Sequence, residues 1–166
     1  MKFYAGIGSR ETPDAVLTMM FEIGVQLANE GWTLRSGGAE GADTAFEKGA
    51  ETAGGEMEIY LPWAGFNKRE SKHVVGDNPA MRKVAERFHP AWDRCSPGAR
   101  ALHSRNVAQV LGMPGEKKRS RMVICWTKDG GPTGGTGQAI RIAKGYEVEV
   151  FNLFHGRDAL NKYLSL

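Results

Sequence analysis

The chain has 166 residues, of which 41% are hydrophobic and 25% charged, proportions that exclude a disordered chain. Its 22 lysines and arginines against 19 aspartates and glutamates give a formal charge of +3, short of the basic excess typical of a protein that coats nucleic acid. The length predicts a single domain over residues 1–166, and two cysteines without a C-x-x-C pair, with no apolar stretch of about 20 residues, favour a reduced cytoplasmic protein without membrane insertion.

The first third of the chain alternates strands and helices. Apolar runs predict strands over residues 2–7, 32–36 and 56–61. Apolar residues at helical spacing predict one helix between Pro13 and Gly31 and a second over residues 42–53. Short β-α-β connections of this kind produce parallel strands joined by right-handed crossovers.

The rest of the chain continues the alternation after a long loop. Residues 62–78 have no clear period, and Asn78 and Ser96, each followed by proline, are the predicted N-caps of two surface helices ending near Phe88 and Leu111. The further predicted elements are a strand over 122–126, a helix over 136–144, a strand over 147–152 and a helix over 157–164. The sequence therefore predicts an α/β, Rossmann-like, doubly wound and mainly parallel sheet of about five strands with helices on both faces.

Two glycine-rich turns each follow a strand and open a helix. They are Gly6-Ile7-Gly8-Ser9-Arg10 and the segment from Gly130 to Gly137. If the strand order is 3-2-1-4-5, both turns face the crevice where the order reverses, and there free N–H groups of helix starts and the Arg10 guanidinium attract phosphate. One such turn is explained by chain geometry alone, whereas two in register favour a nucleotide or phosphate site.

The common nucleotide motifs are absent. No G-K-[ST] triplet occurs, and Glu11 stands where the dinucleotide pattern G-x-G-x-x-G needs its third glycine. Kinase, P-loop NTPase and ordinary NAD-binding functions are therefore excluded.

Four motifs, in the same order along the chain, resemble those of the DNA-processing protein A family, also called Smf. They are Gly8-Ser9-Arg10, the run from Ser36 to Ala45, Arg105-Asn106, and Gly135-Thr136-Gly137-Gln138-Ala139 followed by residues 145–150. The resemblance implies a Rossmann-like core that binds nucleotide or single-stranded DNA and pairs with itself. The length leaves no room for the winged-helix tail of many such proteins, so we expect the core alone.

A wider superfamily includes the Lonely guy phosphoribohydrolases, whose P-G-G-x-G-T-x-x-E motif supplies a catalytic glutamate. Here the corresponding position holds Ile140 or Arg141, so that carboxylate is missing. Glu40, Asp43 and Asp129 are the candidates to replace it from neighbouring loops, and whether the protein is an enzyme stays open at this point.

The predicted ligand- and phosphate-binding residues come from the glycine-rich turns, the polar ends of strands and the family motifs. They are Gly8, Ser9, Arg10, Ser36, Gly37, Gly38, Asp43, Arg105, Asn106, Thr127, Gly134, Gly135, Thr136 and Gly137. Each has a structural alternative: Asp43 is equally suited to capping its helix, and Arg105 to pairing with a carboxylate. Trp63 and Phe66 suit either base stacking or core packing. No cofactor and no metal site are predicted, because the four histidines show no ligand spacing.

Three functions are consistent with these sequence features. The first is binding of a nucleotide, a nucleotide derivative or the backbone of single-stranded DNA. The second is hydrolysis of the N-glycosidic bond of a nucleoside 5′-monophosphate, and the third is a protein-interaction module. The resemblance also implies a homodimer.

Overall fold

The computed structural model describes residues 1–116 and 118–165. Six parallel strands form a sheet in the order β4-β3-β2-β1-β5-β6. The strands are β1 (Lys2–Gly6), β2 (Trp32–Ser36), β3 (Met57–Leu61), β4 (His73–Val74), β5 (Met122–Cys125) and β6 (Glu149–Asn152). The predicted parallel sheet is confirmed, and its five predicted strands have the predicted order, so β1 and β5 are neighbours at the point of reversal.

The sixth strand, β4, is a correction, because it lies in the segment predicted to be a loop. His73 and Val74 pair with Tyr60 and Leu61 of β3 at the edge of the sheet. A strand of two residues is too short to show a period, so its pairing depends entirely on the neighbouring strand.

Six α-helices connect or flank the strands in the described part of the chain. They are α1 (Asp14–Asn29), α2 (Ala42–Thr52), α3 (Pro79–Phe88), α4 (Pro97–Leu111), α5 (Gly134–Gly145) and α6 (Asp158–Leu164). Both predicted caps are present: Asn78 Oδ1 accepts from the amides of Ala80 and Met81, and Ser96 Oγ accepts from Ala99 N–H. Helix α5 begins at Gly134, two residues before its predicted start.

Two hydrophobic cores lie on opposite faces of the sheet. Helices α1, α2 and α6 pack on one face, and α3, α4 and α5 pack on the other. Strand β5 serves both cores, since Met122 and Ile124 point to the first and Val123 and Cys125 to the second. Trp126 at the end of β5 belongs to the core on the α1 side. Within the described residues, no helix combines the length and apolar character needed to cross a bilayer.

Candidate functional site

A cavity of about 360 Å³ opens where the loops after β1 and β5 meet. Its walls come from the β1–α1 loop, the β2–α2 loop, one face of α4 and the start of α5. The predicted residues that line it are Gly8, Ser9, Arg10, Glu40, Asp43, Arg105, Asn106, Gly134, Gly135 and Thr136. We call this cavity the crevice, and its volume lies within the usual range of small-molecule sites, about 300–1,000 Å³.

The β1–α1 turn packs closely against α2 and exposes the guanidinium of Arg10. A Cβ on Gly8 would lie 2.4 Å from Ala42 Cβ, so the turn packs directly on α2 only because this residue is glycine. Ser9 Oγ accepts from Glu11 N–H at 3.0 Å. Arg10 follows, exposed, and has no ion-pair partner within residues 1–116 and 118–165. Its guanidinium is therefore available to an anion in the crevice.

The start of α5 forms the opposite wall. Gly134 has a φ of +66°, a conformation that favours glycine, and a Cβ on Gly135 would meet no heavy atom within 4 Å. The first amides of a helix have no intrahelical partner, and they carry the positive end of the helix dipole. This wall therefore presents free N–H groups to the same space as Arg10.

Arg105 and Asn106 on α4 tie the walls together. Arg105 donates from Nη1 to the carbonyl of Gly37 and, at 3.0 Å, from Nε to Asn106 Oδ1. Asn106 Nδ2 in turn donates to the carbonyl of Gly135 at 3.2 Å. Both side chains are buried, so this pair fixes the β2–α2 loop and the start of α5 relative to α4. These hydrogen bonds hold two walls of the crevice in place.

Asp43 is a buried carboxyl group on the crevice wall, 4% exposed. Its Oδ2 accepts a hydrogen bond from Ala39 N–H at 3.1 Å, which provides a partner for this amide of the loop before α2. Burial raises the pKa of Asp43 to about 6, an effect that the nearby positive charge of Arg105 only partly offsets. Glu40 also lines the crevice but is exposed at its rim.

Several predicted residues lie outside the crevice lining and have structural partners instead. Ser36 Oγ donates to Glu47 Oε2 at 3.0 Å, and Thr127 Oγ1 donates to the carbonyl of Gly131 at 2.8 Å. Gly137 packs on Pro132, whose carbonyl carbon would lie 2.3 Å from an added Cβ. Gly37 and Gly38 are likewise buried. Arg105 occupies the space that a side chain on Gly37 would need, and Leu61 occupies that space at Gly38.

Asp129 is also outside the crevice and caps its own loop. Its Oδ1 accepts from Gly131 N–H and from Thr133 Oγ1, both at 2.9 Å. These hydrogen bonds hold the pKa of Asp129 below its usual value. The geometry therefore offers no place for Asp129 at a ligand in the crevice.

Sequence reasoning identified Arg105 and Asn106 on the inner face of α4 but missed Leu102 and Gln109 beside them. Leu102, Arg105, Asn106 and Gln109 share one face of this helix at spacings of three and four residues, and all line the crevice. Gln109 is 1% exposed, and its Nε2 has no hydrogen-bond partner within the described residues. Helical spacing from Arg105 and Asn106 was the available signal for Leu102 and Gln109, but only the two residues of the family motif were singled out.

His103, on the same helix, also lines the crevice and was not predicted to do so. Its Nδ1 is buried and without a hydrogen-bond partner among the described residues. Burial, followed by the neighbouring His89 and then by Arg141 and Arg105, lowers the pKa of His103 to about 4. Burial likewise lowers the pKa of His89. The His103 ring is therefore neutral at pH 7.

A second cavity of about 510 Å³ adjoins the crevice and shares Arg10, Ala39, Glu40 and Phe66 with it. Its outer wall includes Trp63, which is 43% exposed, while Phe66 is buried between the two spaces. The two rings meet edge to face with centroids 5.3 Å apart. Arg10 thus lies at the boundary of two compartments, each bordered by an aromatic ring.

No family model and no curated protein matches the sequence. Among solved structures, the fold is similar to that of the molybdenum cofactor carrier protein of Chlamydomonas reinhardtii, with a TM-score of 0.55 and 20% identity, covering 90% of this chain and 75% of that one. DNA processing protein A of Helicobacter pylori matches with a TM-score of 0.54 and 14% identity, over 91% of this chain and 64% of that chain.

The corresponding protein of Streptococcus pneumoniae gives a TM-score of 0.54 and 16% identity, over 91% of this chain and 49% of that chain. These likenesses confirm the predicted Rossmann-like fold and its resemblance to the core of DNA processing protein A. At such identities the comparisons establish the fold alone, and the description of the H. pylori protein as a single-stranded DNA binder applies to that protein.

Proposed function

We propose that this protein binds a nucleotide-type ligand, with a phosphate group between Arg10 and the start of α5. One observation carries the proposal. The exposed Arg10 and the first amides of α5 line the same cavity, at the point where the strand order of the sheet reverses. Gly8, Ser9, Gly134, Gly135 and Thr136 supply the backbone and hydroxyl contacts. The rigid turn and the Arg105-Asn106 tie preorganise these groups before the ligand arrives.

The two compartments on either side of Arg10 suit a ligand with an aromatic group on each side of its phosphate. Trp63 offers a face for base stacking in the outer compartment, and Phe66 and Leu102 border the inner one. A dinucleotide-like derivative and a single strand of DNA both meet this description. The single-stranded DNA binding of the structurally similar H. pylori protein supports the second form.

A length series distinguishes the two forms. We expect thermal shift and calorimetry to show binding that strengthens from mononucleotide to dinucleotide. If a single strand is the ligand, affinity increases further with oligonucleotide length and falls steeply with salt, with a log–log slope of about −0.7 per phosphate contacted. Binding that saturates at a dinucleotide with a shallow salt slope identifies a small ligand instead. No stabilisation by any of these ligands at millimolar concentration would contradict the proposal.

Asp43 favours a second candidate function, N-glycosidic hydrolysis. Its pKa of about 6 lies close to the pH at which a general acid or base works best, and it lines the crevice. However, its hydrogen bond from Ala39 N–H and its burial suit loop positioning. Glu40 is exposed at the rim, and Ile140 and Arg141 provide no carboxylate.

We therefore expect weak or absent phosphoribohydrolase activity. Incubation with ribo- and deoxyribonucleoside monophosphates, followed by assay of the free base, should give rates far below about 1 per second, an ordinary enzyme rate. Turnover at that rate or above, abolished by Asp43→Asn or by Glu40→Gln, would reverse this ranking.

A further inference from the structure

Two histidines and a cysteine meet where α3 connects to α4. His89 is the C-cap of α3, Cys95 follows the short 3-10 turn Trp92–Arg94, and His103 lies on the second turn of α4. One ring nitrogen of each histidine and Cys95 Sγ lie within 4.8 Å of one another. We call these three residues the His-Cys-His cluster. All three are half-buried, so an ion can reach them from solvent.

The separation of Cys95 and His89 is close to that of two ligands in a tetrahedral site. Cys95 Sγ lies 3.7 Å from His89 Nε2 and 3.8 Å from His89 Nδ1, and the centroids of the two imidazole rings are 4.5 Å apart. With bonds of about 2.0–2.3 Å to one ion, tetrahedral ligand atoms lie roughly 3.3–3.8 Å apart. The donor atoms of all three residues lie within 4.8 Å of one another, so a shared ion requires them to move somewhat closer together.

We propose that the His-Cys-His cluster binds one zinc ion through His89, Cys95 and His103, with solvent in the fourth position. Two neutral imidazoles and one thiolate form a donor set that zinc prefers, and hard cations such as Mg²⁺ require oxygen ligands instead. His103 Nδ1 is buried and has no hydrogen-bond partner within the described residues, so this nitrogen is available to an ion.

Zinc binding exchanges existing contacts for coordinate bonds. In the metal-free protein, Ala91 N–H donates to His89 Nδ1 at 3.0 Å, and the Cys95 thiol donates to the Ala91 carbonyl at 3.6 Å. Coordination removes the thiol proton, so one proton leaves Cys95 for solvent as its sulfur bonds to zinc.

The site has a consequence for the neighbouring crevice. His103 lines the crevice, whereas His89 and Cys95 belong to the connection behind it. An ion held by all three residues cross-links the end of α3 to the crevice wall on α4. Zinc binding requires no ligand in the crevice, so it can be tested independently of the proposed nucleotide binding.

Titration of the metal-stripped protein with Co²⁺ tests the site directly. We expect one equivalent per chain, the visible bands of tetrahedral cobalt, a near-ultraviolet thiolate-to-cobalt charge-transfer band, and displacement of cobalt by Zn²⁺. Cys95→Ser should abolish the charge-transfer band, and His103→Gln should weaken zinc binding by more than about tenfold, because loss of even an outer partner of a ligand typically costs 10- to 100-fold.

Matched controls come from the other cysteine and from an exposed histidine. Cys125→Ala and His155→Gln alter residues outside the cluster and should leave stoichiometry and bands unchanged. Circular dichroism establishes that each variant is folded, and His103→Gln provides the test if Cys95→Ser fails to fold. Absence of stoichiometric binding to the wild-type protein, or a charge-transfer band that survives in folded Cys95→Ser, would overturn the site.

Discussion

Arg10 is the exposed cation at the boundary of the two compartments, and its loss should weaken ligand binding without affecting the fold. Arg10→Ala removes a charge-assisted hydrogen bond worth about 1.5–3 kcal/mol, or roughly 10- to 150-fold in affinity for a phosphate-bearing ligand. Calorimetry with the tightest-binding oligonucleotide or nucleotide measures this loss.

The matched control for Arg10→Ala is Arg87→Ala, since Arg87 is exposed on α3 and does not line the crevice. Arg10→Lys separates charge from geometry, because lysine keeps the charge and loses the bidentate fork. Equal affinities of wild-type protein and folded Arg10→Ala would exclude this residue from the site.

Asp43 makes the stability of the protein depend on pH. Its pKa rises from an ordinary 3.8 to about 6 on folding, so the folded state binds more protons than the unfolded state between these values. The free energy of unfolding therefore falls as pH rises from about 4 to 6, by an amount on the order of 3 kcal/mol. Asp43→Asn lacks this titration and should flatten the dependence.

Chemical denaturation of wild-type protein and Asp43→Asn at several pH values between 4 and 7 measures this effect. The asparagine retains an acceptor for Ala39 N–H, so the comparison isolates the charge. The wild-type protein should lose stability relative to the variant as pH rises. Parallel curves would show that the attraction of Arg105 fully compensates the burial of the carboxylate.

At the scale of elements, a substitution at the start of α5 should affect ligand binding while leaving folding nearly unchanged. A Cβ on Gly135 meets no heavy atom within 4 Å, so Gly135→Val places its side chain in open space at the crevice. We expect folding stability to change by no more than about 1 kcal/mol and ligand affinity to fall at least roughly tenfold. Thermal unfolding and calorimetry measure the two effects.

Gly98→Val is the matched control for Gly135→Val. Gly98 also lies in the first turn of a helix, and its added Cβ would have only Ser96 Oγ within reach, at 4.0 Å. It does not line the crevice, so its substitution should leave affinity unchanged. Normal binding by Gly135→Val would mean that this turn serves only the chain geometry.

At the scale of the whole molecule, a two-fold homodimer stays a prediction. Two-fold closure is the commonest symmetry of soluble oligomers, and Val74 on the short edge strand β4 leaves an apolar side chain 42% exposed. Light scattering at micromolar concentrations should give twice the mass of the chain. A monomer mass across that range would contradict the expectation.

The sequence by itself determined the elements whose signals are local. Apolar runs and helical spacing marked the five long strands, and Asn78-Pro79 and Ser96-Pro97 marked two helix starts. The turns at Gly8 and Gly134 face one crevice if the strand order is 3-2-1-4-5, and the structure has this order for the five predicted strands. Arg10 was predictable for the same reason, because a residue just after a strand of a parallel sheet lies at its carboxyl edge.

Only the tertiary structure decided which polar residues share the crevice. Ser36, Thr127 and Asp129 have the same sequence signals as the residues that line it, but their hydrogen bonds go to neighbouring loops. Edge strand β4 also exists only through its pairing with β3. These outcomes depend on competition among partners in space, which periodicity along the chain cannot express.

The His-Cys-His cluster was invisible in the sequence for the same physical reason. His89, Cys95 and His103 have no spacing typical of a metal site, and the turn Trp92–Arg94 separates the first two. They converge because α3 and α4 both pack on the sheet and their connection must fold back between them. Chain periodicity thus determined the elements, whereas packing of those elements on the sheet decided which side chains meet.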